Sequence, residues 1–317
     1  MSPPILIDAH ALAARLDEPA LRVLDATVEL PAPRFDGDYR PASGLDGWRA
    51  AHIPGARHAD LLHALADPDA GFSFALPAWP ALVAALQPLG IGDTSEVVVY
   101  DRGDGFWAAR LWWMLRSVGI AARVLDGGWR AWCAAGLPQA SGEAGAAVFG
   151  TITPRPRAEL WADRRRVEAV VAGRAPGALV CALSAELFAG SVPTRYARRG
   201  HIPGSHNLPA RVLFDGDGRY LPRAQLAQAL VPLREAPRPL LLYCGGGISA
   251  AALALALTLL GENDVALYDG SLQEWAADPA LPLQTIPSAP PAGATSGPAE
   301  ASPAKPVGTE VPPTGAP

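Results

Sequence analysis

Three cysteines in 317 residues are too few for a disulfide framework, and Cys133, Cys181 and Cys244 lie too far apart for the close pairs that hold a metal. Disulfide scaffolds and zinc modules are thereby excluded. Charge is sparse too: 18% of residues carry it, the net is −5, and no basic run is interleaved with aromatics, which argues against a nucleic-acid partner. The one basic triplet, Arg164 to Arg166, reads as the solvated start of a helix. No apolar run approaches the roughly 18 residues that span a bilayer. Met1 to His10 lacks the basic-then-apolar layout of a signal peptide, so the expected location is the cytoplasm, with no membrane partner.

What the chain does have is one thiol in an unusual setting. Leu240, Leu241, Leu242 and Tyr243 read as a buried strand, followed by Cys244, Gly245, Gly246, Gly247, Ile248 and Ser249, then an Ala/Leu-rich helix stopped by Gly261. A buried cysteine is usually a small hydrophobe. Three successive glycines weaken structure, however, and are hard to explain unless something must approach the backbone closely. They let several amide donors turn toward one anion at a helix N-terminus, where the backbone favours a thiolate, the nucleophilic form of cysteine.

The chain also repeats itself. Ala51-His52-Ile53-Pro54-Gly55 returns as Gly200-His201-Ile202-Pro203-Gly204, 149 positions on. Val97 to Asp101 returns as Leu240 to Cys244, and Asp126-Gly127-Gly128 with Trp132 returns as Asp269-Gly270-Ser271 with Trp275, each 143 positions on. Three collinear matches imply two copies of one fold. In each copy short apolar strands alternate with helical stretches: Arg22 to Ala26, Val97 to Tyr100 and Arg123 to Leu125, then Ala178 to Ala182, Leu240 to Tyr243 and Val265 to Tyr268. That order predicts an α/β fold, each copy a parallel sheet flanked by helices, with ligands at the carboxyl ends of the strands. The expected division is 1–141, a linker over 142–156, 157–286, and a disordered Pro/Ala-rich tail over 287–317.

The twin His-Ile-Pro-Gly turns, the twin Asp-Gly-Gly/Ser turns and the Cys-Gly-Gly-Gly-Ile-Ser loop resemble the tandem-domain rhodaneses, the family of thiosulfate and 3-mercaptopyruvate sulfurtransferases, over about residues 5 to 285. The resemblance implies two rhodanese-like domains, the first catalytically inactive because Asp101 stands where the second has Cys244. It implies that Cys244 attacks the outer sulfur of a small-molecule donor, becomes a persulfide, and yields that sulfur to cyanide or to a thiol acceptor such as a thioredoxin-like protein. Backbone amides from Gly245 to Ser249 would hold the anion, aided by the Ser249 hydroxyl. No metal or organic cofactor is called for. A loop free of cations is closer to the mercaptopyruvate type than to the thiosulfate type.

The chain departs from that family where donor-binding arginines usually stand: it has Cys181, Ala182 and Leu183, then Leu187 and Phe188. Replacements are sought in Arg195, Arg198 and Arg199, just before His201, and in Arg110 on the helix after the Asp101 loop, whose rival role is an ion pair with an aspartate. The Asp and His of the mercaptopyruvate enzymes correspond to Leu62 and Phe74, with Asp60 and His63 nearby, and His63 is a further candidate as a proton shuttle. His52 and His201 read as turn-fixing, Cys181 as a strand residue, and the tryptophans 107, 112, 113, 129 and 132 as core, with Trp107 able to reach the cleft mouth.

Two other functions compete. A cysteine phosphatase needs an arginine six residues after its cysteine to clamp phosphate, and position 250 is alanine. The other is a non-enzymatic persulfide carrier or partner-binding module, favoured by the missing arginines and opposed by the intact Cys244 loop.

Overall fold

The computed structural model describes residues 4–145 and 149–286. The first half carries β1 (Leu6–Ile7), β2 (Leu21–Asp25), β3 (Val28–Glu29), β4 (Ala42–Ser43), β5 (Arg57–His58), β6 (Glu96–Tyr100) and β7 (Ala122–Leu125). The second carries β8 (Trp161–Ala162), β9 (Ala178–Cys181), β10 (His206–Asn207), β11 (Leu240–Tyr243) and β12 (Val265–Tyr268). Apart from the small antiparallel pair β3–β4, every pairing is parallel. The sheets run β1-β7-β6-β2-β5 and β8-β12-β11-β9-β10, one order used twice, as the sequence repeat predicts.

The six strands expected from apolar runs, β2, β6, β7, β9, β11 and β12, sit within a residue of where those runs placed them, whereas the two-residue strands β1, β3, β4, β5, β8 and β10 are too short to show as apolar runs. Val97 to Tyr100 and Leu240 to Tyr243 are buried throughout, as strands covered on both faces must be. Each sheet's central strand ends in a buried tyrosine tied to its own His-Ile-Pro-Gly turn. The Tyr243 hydroxyl accepts from Ile202 N at 3.1 Å, and the Tyr100 hydroxyl lies 3.5 Å from Ile53 N. His52 Nδ1 and His201 Nδ1 reach the carbonyls of Trp48 and Phe188, each at 2.8 Å, with the rings stacked.

The halves meet through the helices Phe106–Ser117 and Ile248–Leu260. Both are apolar almost all round, the signature of a helix covered on every side. One core runs across them, from Leu24 and Val99 to Leu242 and Leu267. Residues through Ile286 form one compact unit. Of the expected linker, Ile152 is buried and Thr153 binds Asp93 in the loop before β6, so its second half is pinned to the first half of the chain. The expected tail, 287–317, lies outside the described residues. No helix among the described residues is long and apolar enough to cross a membrane.

Candidate active site

Cys244 follows β11 directly and is 2% exposed. The helix begins at Ile248 after Gly247, whose φ of +77° is left-handed and suits glycine, and it ends at Gly261 with φ +92°. The cysteine's own backbone is clamped by the Asp-Gly-Ser turn. Its N–H donates to Ser271 Oγ at 3.2 Å, its carbonyl accepts from Leu272 N at 3.1 Å, and the Gly245 carbonyl accepts from Gln273 N at 2.9 Å. Among the described residues, the N–H groups from Gly245 to Ser249 make no hydrogen bond within the protein.

The first half shows what such a loop does when an anion is built into it. The Asp101 carboxylate, 1% exposed, accepts from Gly103 N at 2.8 Å, Gly105 N at 3.0 Å and Ala108 N at 2.9 Å. Burial pushes this carboxyl up from its usual range, and the three amides pull against that. One copy of the loop therefore supplies its own anion. The other carries a sulfur and leaves its amides available.

Cys244 opens into a cavity of about 530 Å³ walled by both halves, at the carboxyl ends of the strands. Phe74 and Trp107 form its apolar side, their rings 4.8 Å apart edge to face, and Leu183 adds to it. Gln273 bridges the halves: its Oε1 accepts from Ser73 N at 2.7 Å and its Nε2 donates to the Tyr39 hydroxyl at 3.0 Å. Arg195 reaches in from the second half. Its Nη2 donates to the carbonyls of Leu30 and Pro31, while its Nε is buried without a partner. Tyr196 lies on the cysteine loop itself, in contact with Gly245.

Of the candidate substrate residues, the structure brings Arg195 alone to this cavity. Arg198 is turned away, donating to the carbonyls of Trp275, Ala276, Asp278 and Leu281 because it closes the C-terminal turn of the second half. Arg199 pairs with Asp36 on the surface at 2.9 Å. Arg110 is fully buried beneath the loop and outside the cavity, bound to Asp269 Oδ1 and the Phe74 carbonyl, each at 2.6 Å, so its rival role is the one it plays. His63 is 72% exposed and bound to Asp60 at 3.1 Å, away from the cavity. No motif in the sequence marks Tyr39, Tyr196 or Gln273, since each reaches the site through a fold contact between distant segments. Arg102 also lines the wall, but its guanidinium is engaged by Asp25 at 3.1 Å and stacked over Trp129.

A rhodanese-like domain model matches residues 8–135 and again 187–278. The chain belongs to the rhodanese family. It is 38% identical over 293 residues to a probable 3-mercaptopyruvate sulfurtransferase of Pseudomonas aeruginosa, covering 90% of this chain and 99% of that one. It is 31% identical to the 3-mercaptopyruvate sulfurtransferase of Escherichia coli, covering 90% and 100%. It is also 35% identical to a putative thiosulfate sulfurtransferase, SseB, of Mycobacterium tuberculosis, covering 88% and 96%. The crystal structure of SseA from Escherichia coli superposes with a TM-score of 0.72 at 28% identity, over 85% of this chain and 99% of that one. Kinship over nearly the full length makes this rhodanese a sulfurtransferase enzyme.

The rhodanese's other two thiols are placed differently. Cys181 lies in β9 with no exposure, and burial pushes its thiol up to about 12, so it stays protonated and unreactive near neutral pH. Cys133 is exposed on the helix Gly128–Ala134, with Gln139 Nε2 at 3.5 Å from its sulfur.

Proposed function

We propose that this rhodanese moves sulfur from a small anionic donor of the 3-mercaptopyruvate class through a persulfide on Cys244, with residues 157–286 as the catalytic domain and 1–141 as its inactive partner. The observation that carries the reading is the pair of matching loops. Asp101 engages three loop amides in one, and Cys244 stands at the same place in the other with its amides unpaired. A persulfide anion is the species such amides would hold.

The thiolate of Cys244 attacks the donor sulfur, a sulfur–sulfur bond forms, and the bond from sulfur to the rest of the donor breaks. A thiol acceptor or cyanide then takes the outer sulfur and regenerates the thiolate. Arg195, with its buried Nε unpaired, is the cation for the donor's carboxylate. With Arg102 paired to Asp25, Arg195 is the one lining cation with no carboxylate partner among the described residues, and with the apolar faces of Phe74, Trp107 and Leu183 it favours a monoanion with a carbon body over the compact dianion thiosulfate. The clamp of Ser271, Leu272 and Gln273 on the cysteine backbone keeps the sulfur aimed into the cavity.

Intact-protein mass tests this. Incubation with 3-mercaptopyruvate is expected to add roughly 32 Da at Cys244, removed by cyanide, and faster than incubation with thiosulfate does. Absence of any gain with either donor, in protein whose Cys244 still alkylates, would overturn the reading.

A further inference from the structure

The donor reaction leaves a carbanion equivalent that must be protonated, and, besides the Ser249 hydroxyl already given to holding the anion, the groups near Cys244 that could do so are few. Phe74 carries no transferable proton and sits over the loop, its ring 3.8 Å from where a Gly246 side chain would begin. His63 lies outside the cavity on the surface. The Tyr39 hydroxyl accepts from Gln273 Nε2 at 3.0 Å, which holds it at the seam beside Ser73 rather than against Gly245 on the cysteine loop. The Tyr196 hydroxyl has no hydrogen-bond partner among the described residues, and it lies 1.3 Å from the point where a Cβ on Gly245 would stand. This phenol thus occupies the space that the side chain following the cysteine would otherwise fill.

We propose that Tyr196 is a catalytic residue whose hydroxyl protonates the departing carbon when the donor is a 3-mercapto-2-oxo acid, an inference that rests on the donor class argued above. As the Cys244 thiolate bonds to the donor sulfur, the carbon–sulfur bond breaks and its electron pair passes to C3 as an enolate. The Tyr196 O–H gives its proton to C3, producing the methyl 2-oxo acid. The phenolate recovers a proton from the Cys244–S–SH group, leaving the persulfide anion to the loop amides. The two sulfurs together give up the two electrons that C3 gains, so no outside oxidant or reductant enters.

The surroundings suit this cycle. Burial holds the Tyr196 phenol above its ordinary value and the Cys244 charge adds to the effect, so the proton is present on oxygen at neutral pH. Arg195, next in the chain, opposes that shift and stabilises the transient phenolate. Thiosulfate needs no such proton, because its sulfite leaving group departs as a stable anion.

The test is Tyr196→Phe, read as the ratio of single-turnover persulfide loading by 3-mercaptopyruvate to loading by thiosulfate within one preparation. Loss of a general acid is expected to lower that ratio about 100-fold. Partial misfolding lowers both rates together and leaves the ratio alone, so a ratio unchanged from the parent overturns the assignment. If the parent protein loads from thiosulfate and never from 3-mercaptopyruvate, the donor class itself falls, and this role of Tyr196 with it.

Discussion

Arg110 Nη2 lies 2.6 Å from Asp269 Oδ1, a cation of the first half locked to a carboxylate of the second beneath the cysteine loop. Arg110 is the one charged residue buried on its helix. It also donates to the Phe74 carbonyl at 2.6 Å and lies 4.7 Å over the Trp161 ring. Asp269 in turn accepts from Leu76 N at 2.7 Å. Removing one member of a buried pair leaves the other uncompensated, so Arg110→Ala should lose about 3–5 kcal/mol of stability in chemical denaturation. Arg110→Ala combined with Asp269→Ala should lose less than the sum of the two single changes. Additive losses would show that the pair is not coupled.

Cys244→Ala should abolish persulfide formation and sulfur transfer, whereas Cys181→Ala should retain transfer at a stability cost of about 1 kcal/mol. Full activity in the first variant would sink the mechanism.

The Cys181 thiol also gives a pH signature. Its folded value is pushed up to about 12 from an ordinary value near 9, so between those limits the unfolded chain gives up a proton that the folded chain keeps. Stability must therefore fall as pH rises through that window, by up to about 1.4 kcal/mol per pH unit from this one group, and be unaffected by it below pH 9. Comparing denaturation of the parent and Cys181→Ala from pH 8 to 11 isolates the effect, because the buried tyrosines are common to both. Parallel curves would refute it.

Asp101→Asn keeps one oxygen for the N–H groups of Gly103 and Gly105 but sets an amide NH2 against Ala108 N, two donors face to face. The expected loss is about 1–3 kcal/mol, read by thermal or denaturant unfolding. No loss would mean that the three amides contribute nothing to holding the first loop.

Much of this architecture was legible in the chain because it is written in local periodicity. Short apolar runs, a glycine after a helix, and one motif order used twice located the six longer strands, the Ile248–Leu260 helix and the Cys244 loop to within a residue or two, while the two-residue strands left no such run. The walls of the site were not legible in the same way. Arg195, Arg198 and Arg199 look alike in sequence, and only the packing shows that Arg198 closes a turn, Arg199 pairs with Asp36 and Arg195 lines the cavity that Cys244 shares. Tyr196 and Gln273 act across the chain, on Gly245 and on Ser73 and Tyr39, and contacts between distant segments leave no periodic trace.

Arg195→Ala should raise KM for 3-mercaptopyruvate and lower kcat/KM about 10- to 100-fold, the worth of one charge-assisted hydrogen bond to a carboxylate. Arg195→Lys should recover part of it, since charge returns without the planar fork. Steady-state kinetics decide, and a kcat/KM within twofold of the parent in Arg195→Ala would remove this residue from donor binding.

Gly245 is glycine because Tyr196 lies on it. A Cβ there would stand 1.3 Å from the Tyr196 hydroxyl oxygen and 2.2 Å from its Cζ, and the Gly245 backbone is not free to retreat, since its carbonyl is held by Gln273 N. Gly245→Ala should therefore displace the ring, with a stability loss of about 1–3 kcal/mol from overpacking. Tyr196→Phe should relieve little, because the ring carbon still collides. Tyr196→Ala should restore most of what Gly245→Ala lost in the double variant. That opposite sign of coupling, measured by a double-mutant cycle, separates a steric fit between these two residues from a requirement for glycine in the backbone. A glycine required by the backbone itself would leave the double variant as unstable as the two losses added together.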